Sequence, residues 1–95
     1  MKNISDLHLK TQEVSAQSIF KGQGSATSIQ MLENATLKEH VSKTNALLIC
    51  LSGEVVYQDE TGMSSTLKTG NFIDIPANIK HLLTASKFSQ LILIK

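Results

Sequence analysis

The sequence alternates between short runs of β-branched and apolar residues and breaks made of glycine, asparagine and small polar residues. Such runs predict β-strands, because branched and apolar side chains pack well on a pleated surface, and the breaks predict turns. A helix is predicted only before residue 12, where Ile4, Leu7 and His8 share a face. The predicted strands cover residues 12–20, 26–33, 35–41, 46–52, 54–59, 64–68, 71–75, 81–86 and 90–94. Nine short strands at this spacing favour an antiparallel sandwich or barrel.

The length of the chain, 95 residues, fits one domain covering residues 1–95, and its 41% hydrophobic content is enough for a modest core. Only 18% of the residues are charged, which excludes a disordered chain. The one cysteine, Cys50, cannot form an internal disulfide, so packing, self-association or a ligand must stabilise the domain. Residues 1–8 lack the apolar stretch of a secretory signal, and no run is long enough to span a membrane. We therefore expect a cytoplasmic protein without a membrane partner.

The basic residues exclude one large class of partner. All nine are lysines, and they offset eight acidic residues to give a formal net charge of +1. Without arginine the chain has no planar guanidinium group to hold a phosphate or read a guanine edge. The four aromatic residues are too scattered along the sequence to form a platform on which bases could stack. We therefore expect no nucleic-acid partner.

The strand predicted at 46–52 is apolar on both faces. Alternate residues of a strand point to opposite sides, so Ala46 and Leu48 share one face with Cys50, while the other face carries Leu47, Ile49 and Leu51. The closing strand has the same character. One face can pack against a facing sheet, and a second copy of the chain is the simplest cover for the other. The sequence thus predicts a homodimer whose interface includes part of the N-terminal segment.

Two stretches carry a motif pattern. The stretch from 34 to 53 can be laid on the pattern G-x5-H-x-H-x3-E-x6-G, whose five marked positions fall on Asn34, His40, Ser42, Ala46 and Gly53. The stretch from 70 to 85 can be laid on G-x5-P-x-G-x2-H-x3-N, whose marked positions fall on Gly70, Pro76, Asn78, His81 and Ala85. Asparagine replaces glycine acceptably at position 78, because it tolerates left-handed turns. This pair of stretches resembles the two motifs of the cupin superfamily.

The resemblance implies an all-β fold, the double-stranded β-helix or cupin jelly roll, which is a small antiparallel barrel with its core at about residues 30–95. Cupins of this kind usually bind a divalent metal through two histidines and a glutamate of the first motif and a histidine of the second. Here Ser42 and Ala46 replace two of those ligands, and only His40 and His81 remain. Since transition metals need three or four such donors, we expect no metal, or a weakly bound divalent transition metal at His40 and His81.

The alternation of the strands also predicts what lines the barrel. If His40 points inward, the residues two positions away on either side should do so as well, and the same holds around Ala46 and His81. The resulting interior is apolar with a polar, positive end, which suits a small molecule with an anionic or hydrogen-bond-accepting group. The predicted ligand-binding residues are Lys38, His40, Ser42, Ala46, Leu48, His81 and Leu83. Alternatively, the interior is a filled core and Lys38 extends out of the barrel.

The leading hypothesis is therefore a small-molecule-binding or regulatory barrel with a degenerate metal site. One alternative is a metal-dependent cupin enzyme of the oxygenase or isomerase type, in which His40 and His81 hold the ion. Another is a protein-interaction module that uses the apolar outer strands. Cys50 lies in an apolar run without a basic neighbour, which indicates a core residue and not a nucleophile. Asp74 is interpreted as a solvated or interface carboxylate.

Overall fold

The computed structural model describes all 95 residues and contains nine β-strands. The strands are β1 (Val14–Lys21), β2 (Ser25–Met31), β3 (Thr36–His40), β4 (Ala46–Ser52), β5 (Glu54–Asp59), β6 (Ser64–Lys68), β7 (Phe72–Ile75), β8 (His81–Ala85) and β9 (Ser89–Ile94). Each lies within two residues of its predicted position. The helix predicted before residue 12 is a single 3₁₀ turn, Ile4–Asp6. None of the helical structure is long and apolar enough to cross a membrane.

The strands form two antiparallel sheets that enclose one core. The five-stranded sheet has the order β1-β2-β9-β4-β7, and the four-stranded sheet has the order β3-β8-β5-β6. Strands close in sequence are split between the sheets, so most neighbours in each sheet are distant in the chain. This arrangement confirms the predicted small jelly-roll barrel.

The core lies between the inner faces of the sheets. In β4, Ala46, Leu48 and Cys50 are buried, whereas Leu47 and Ile49 on the other face are only partly covered, as the alternation predicts. The buried apolar residues are Ile29, Met31, Ala35, Ala46, Leu48, Cys50, Val55, Tyr57, Leu67, Ile75, Leu83, Ala85 and Leu91. Cys50 is therefore a core residue, and burial raises the pKa of its thiol. Asp74 is exposed on the outer side of β7.

Four marked motif positions adopt the left-handed backbone conformation. Asn34 and Asn78 have φ angles of 69° and 64°, and Gly53 and Gly70 have φ angles of 90° and 88°. The expectation that Asn78 takes the place of a glycine is confirmed, and Asn34 does the same in the first motif. Only Gly53 also needs the missing side chain, because a Cβ there would overlap the carbonyl oxygen of Phe88. These turns lie just before β3, β5, β7 and β8 and fix where those strands begin.

A β-bulge interrupts β3. Leu37 pairs with Leu83 and His40 pairs with His81, so three steps along β3 match two steps along β8. The strict two-residue alternation fails across this bulge. Leu37 consequently packs against the core although it is an odd number of residues away from His40. The bulge thus places His40 beside His81 and alters the direction of the residues between Leu37 and His40.

Candidate functional site

His40 and His81 come together at one end of the barrel, where β3 ends and β8 begins. We call this end the barrel mouth. The two imidazole rings are edge to face, with centroids 4.1 Å apart and an interplanar angle of 61°. His81 is buried, with 4% of its surface exposed, whereas His40 is half-buried. The pairing of the two motif histidines was therefore predictable from the resemblance, and the bulge in β3 is what produces it.

Backbone hydrogen bonds orient both rings in the same way. Nδ1 of His40 lies 3.1 Å from the carbonyl oxygen of Lys38, and Nδ1 of His81 lies 3.1 Å from the carbonyl oxygen of Ile79. A carbonyl oxygen can only accept, so each Nδ1 carries the hydrogen and donates it. In the neutral rings the lone pair is then on Nε2, and neither Nε2 is bonded to another protein atom. Each ring thus presents an unused acceptor at the barrel mouth.

An aromatic and an acidic residue lie behind His81. The ring of Tyr57 stacks on His81 with centroids 5.9 Å apart, and its hydroxyl donates to Oδ2 of Asp59 at 2.8 Å. Burial lowers the pKa of His81, and its backbone hydrogen bond and the charge of Asp59 oppose this effect only in part. Burial and the bond to Asp59 raise the pKa of Tyr57. At neutral pH, therefore, His81 is an uncharged ring and Tyr57 is a phenol.

Asp59 is occupied by its own turn. Its Oδ1 accepts the backbone N–H and the hydroxyl of Thr61 and the backbone N–H of Met63, and its Oδ2 accepts from Tyr57. The bond from the Thr61 hydroxyl is the main reason that the pKa of Asp59 is lowered. The carboxylate is thus ionised and held in place as a structural group, with both oxygens already accepting hydrogen bonds.

The residues at the barrel mouth do not fit the metal centre that the fold family implies. Such a centre needs three or four imidazole or carboxylate donors around one ion. Here the methyl group of Ala46 cannot coordinate, and nowhere in the structure do three or more histidine, cysteine, aspartate or glutamate side chains converge on a point. Two imidazoles alone cannot complete the coordination of the ion.

Strict alternation predicts that Lys38 shares the inward side of β3 with His40. The bulge between Leu37 and His40 breaks this alternation, and Lys38 is turned outward. Its side chain is exposed and lines an open groove of about 610 Å³ beside His40. The other residues along this groove are Gln12, Glu13, Val14, Thr36 and Leu37. A role for Lys38 in binding stays a prediction, but the place where it would act is this groove.

The remaining predicted residues divide between a loop and the core. Ser42 is half-buried in the β3–β4 loop, where its hydroxyl contacts that of Thr44 and its carbonyl oxygen accepts from the Asn78 N–H at 2.8 Å. Ala46, Leu48 and Leu83 have exposed fractions of 8%, 1% and 2%, and they are packed within the core. A ligand at this site would therefore lie at the barrel mouth and along the groove.

Three residues of this site escaped the sequence analysis. Tyr57 and Asp59 are two residues apart and share a face of β5, so the sequence places them together. It does not show that this face lies next to His81. Lys95 follows β9, and its positive charge helps to lower the pKa of His81. Nothing in the local sequence links Lys95 to a histidine on another strand.

Comparison with known proteins supports the architecture. Neither a protein-family model nor a curated protein matches the sequence. Among solved structures, a conserved protein of unknown function from Streptococcus pyogenes matches with a TM-score of 0.84 and 19% identity, over 99% of this chain and 83% of that one. A cupin superfamily protein from Desulfitobacterium hafniense matches with a TM-score of 0.86 and 14% identity, over 97% and 84% of the two chains.

A third match is a cupin 2 conserved barrel domain protein from Leptotrichia buccalis, with a TM-score of 0.85 and 20% identity. It covers 99% of this chain and 46% of that one. The identities are low, but the structural agreement extends over nearly the whole chain. Together with the two antiparallel sheets, this agreement shows that the chain has the cupin fold.

Proposed function

We propose that the protein is a small-molecule-binding barrel that works without a metal, and that its ligand docks at the barrel mouth against His40 and His81. The observation that carries this proposal is that both Nδ1 atoms are held by backbone carbonyls while both Nε2 atoms are unused. Of the two rings, His40 also lines the open groove beside the barrel mouth. Histidines fixed by a hydrogen bond on one nitrogen act on a ligand through the other.

The chemistry of the ligand follows from the charges around this site. The neutral ring of His81 accepts a hydrogen bond, so a hydroxyl or amine of the ligand suits its Nε2. Lys38 lines the groove, and the charge of Lys95 acts on His81, so an anionic group on the same molecule is favoured. We infer that the ligand is a small hydroxy acid or a similar anion with a hydroxyl group.

The test is a thermal-shift screen of small carboxylates with and without hydroxyl groups. We expect stabilisation by hydroxy acids that is lost in Lys38→Met and in His81→Asn. Lys21→Met is the matched control, because Lys21 ends β1 and does not line the groove. Hits that survive both substitutions, or hits lost equally in the control, would contradict the proposal.

The metal-dependent enzyme considered above has no observation in its favour, because the donor set at the barrel mouth is too small for the ion.

One observation favours the hypothesis of an interaction module. On the outer face of the five-stranded sheet, Phe72, Ile49 and Ile92 form a row across β7, β4 and β9, and Phe72 is 66% exposed. We propose that a second copy of the chain covers this row, since two identical apolar rows can pack on each other about a twofold axis.

Sedimentation measures this self-association. We expect the mass of two chains at micromolar concentration and the mass of one chain for Phe72→Asp. Phe20→Asp is the control, because Phe20 is similarly exposed but lies on β1, at the far edge of the sheet. A wild-type mass of one chain would refute the dimer.

A further inference from the structure

The N-terminal segment lies on the outer face of the five-stranded sheet. We call residues 4–12 the strap. It begins with the 3₁₀ turn Ile4–Asp6, which has no buried residue, and it leads into β1. His8 is the only residue before β1 that is fully buried, with 6% of its surface exposed, whereas Leu9 beside it is 67% exposed. His8 is therefore the most deeply buried side chain of the strap, and Ile4 and Leu7 are only half-buried.

His8 connects the strap to two strands. Its Nδ1 is 2.7 Å from the hydroxyl oxygen of Ser15 on β1, and its Nε2 is 2.9 Å from the hydroxyl oxygen of Ser28 on β2. Both serines are buried, with exposed fractions of 4% and 0%. A second, longer contact joins the side-chain amide of Gln30 on β2 to the carbonyl oxygen of Leu9 at 3.4 Å. These contacts hold the strap across β1 and β2.

The surface under the strap is polar. Ser15, Ser28 and Gln30 lie there with Gln90 of β9, whose side-chain amide donates to Oε1 of Gln30 at 2.9 Å. Water can satisfy all of these groups when the strap is absent. Oε1 of Gln90, in the same group of polar side chains, is buried without a hydrogen-bond partner, which is unfavourable in the closed state. An apolar underside would oppose release more strongly, whereas here the strap itself would expose only the half-buried apolar side chains of Ile4 and Leu7.

We propose that the strap is a reversible element latched by His8, and that protonation of His8 releases it while the barrel stays folded. The proposal does not depend on what the barrel mouth binds. Release would uncover the polar surface of β1, β2 and β9 and free the chain that leads into Gln12 and Glu13 at the groove. The barrel keeps its own core, to which the strap contributes no buried apolar residue.

The direction of the pH dependence follows from burial. In the closed state burial lowers the pKa of His8 from its ordinary value of 6.5. The open state therefore takes up the proton first, so closure is fully favoured above pH 6.5 and weakens as the pH falls through the pKa of the closed state. No ionisable side chain lies on β2, and burial is the cause of the shift. The charged groups on or beside the strap, β1 and β9 are Lys2, Asp6, Lys10, Glu13, Lys21, Lys87 and Lys95.

The experiment uses the whole ¹⁵N-labelled chain at pH 7.5 and pH 5. The backbone ¹H–¹⁵N heteronuclear NOE reports fast motion residue by residue. We expect residues 4–12 to lose their high NOE values at pH 5 while β4 and β9 keep theirs. In the same samples the His8 ring should titrate below 6.5, with a midpoint that coincides with the loss of order in the strap.

Two variants separate the effect of protonating His8 from other effects of low pH on the protein. His8→Gln has no titrating ring, so its strap should show the same NOE values at both pH values, whether closed or open. His40→Asn keeps His8 and should respond to pH as the wild type does. A wild-type strap that is equally ordered at both pH values would overturn the proposal. So would a pH response that persists in His8→Gln, a loss of order in β4 and β9 together with the strap, or a His8 midpoint that differs from that of strap opening.

Discussion

The barrel mouth and the strap each contain a buried histidine, and the two rings are bonded differently. His81 and His8 have nearly the same exposed fraction, 4% and 6%. At the barrel mouth one nitrogen of His81 is bonded to the backbone and the other has no protein partner, whereas under the strap both nitrogens of His8 are bonded to serine hydroxyls. Burial therefore does not distinguish the two rings, whereas the nitrogen of His81 that has no protein partner does.

The partners of the two rings differ in a second way. A backbone carbonyl accepts only, so it fixes one neutral tautomer of His81 and leaves Nε2 without a protein partner. A hydroxyl can donate or accept, so Ser15 and Ser28 satisfy His8 in either tautomer. The barrel mouth thus contains one defined acceptor on His81, whereas the strap contact suits either neutral tautomer of His8 but, because the ring is buried, not its charged form.

Chemical modification should show the largest difference between the two regions. Diethyl pyrocarbonate reacts with an unprotonated imidazole nitrogen that is accessible. At pH 7.5 we expect His40 to react first, and His8 to react at least about tenfold more slowly, because the strap must open before its ring is accessible. Peptide mass spectrometry measures the two rates. Equal reaction rates for His40 and His8 would contradict the distinction between imidazole nitrogens that have a protein hydrogen-bond partner and those that do not.

A pair of serine substitutions should give a smaller effect on stability. Ser28→Ala leaves Nε2 of His8 buried without a partner and should lower the free energy of unfolding by about 1–2 kcal/mol. Ser42→Ala removes a hydroxyl from the β3–β4 loop at the barrel mouth and should change that free energy by less than about 0.5 kcal/mol. Urea unfolding of the two variants measures the difference. A Ser42→Ala variant as destabilised as Ser28→Ala would show that the loop hydroxyl is equally structural.

Nickel should give the smallest effect. Two imidazoles hold the ion weakly, so at a concentration near the dissociation constant we expect a rise in Tm of only about 2–3 °C. The shift should disappear in His81→Asn and persist in His8→Gln, because only the barrel mouth offers unused Nε2 atoms. Protein purified without an affinity tag should carry well under one metal equivalent, which elemental analysis measures. A stoichiometric metal that is lost in His40→Ala would instead favour a metal enzyme.

The fold was largely predictable from the sequence, because its signals are local. Alternating apolar residues predicted β4 with both its faces, and turn residues predicted the breaks, including the left-handed Asn78. These inferences need only the residues within one strand or one turn. That His40 and His81 belong to one site was implied by the resemblance to cupin motifs, and in the structure β3 pairs with β8 at these two residues.

The finer parts of the site were not predictable, because they depend on pairing between distant strands. The bulge that turns Lys38 outward is defined only by how β3 aligns with β8. The effect of Lys95 on His81 arises where β9 ends near the barrel mouth. The local sequence only places His8 on one face of a short helix with Ile4 and Leu7, whereas its contacts with Ser15 and Ser28 require the strap to fold back over the sheet.

The position of β9 determines when the domain can fold. β9 lies between β2 and β4 and is the middle strand of the five-stranded sheet, although it is the last of the nine strands to leave the ribosome. Until it is made, β1 and β2 have no connection to β4 and β7 within that sheet. Nascent chains that stop before β9 should therefore expose unpaired strand edges, and folding of the domain should follow its synthesis instead of accompanying it.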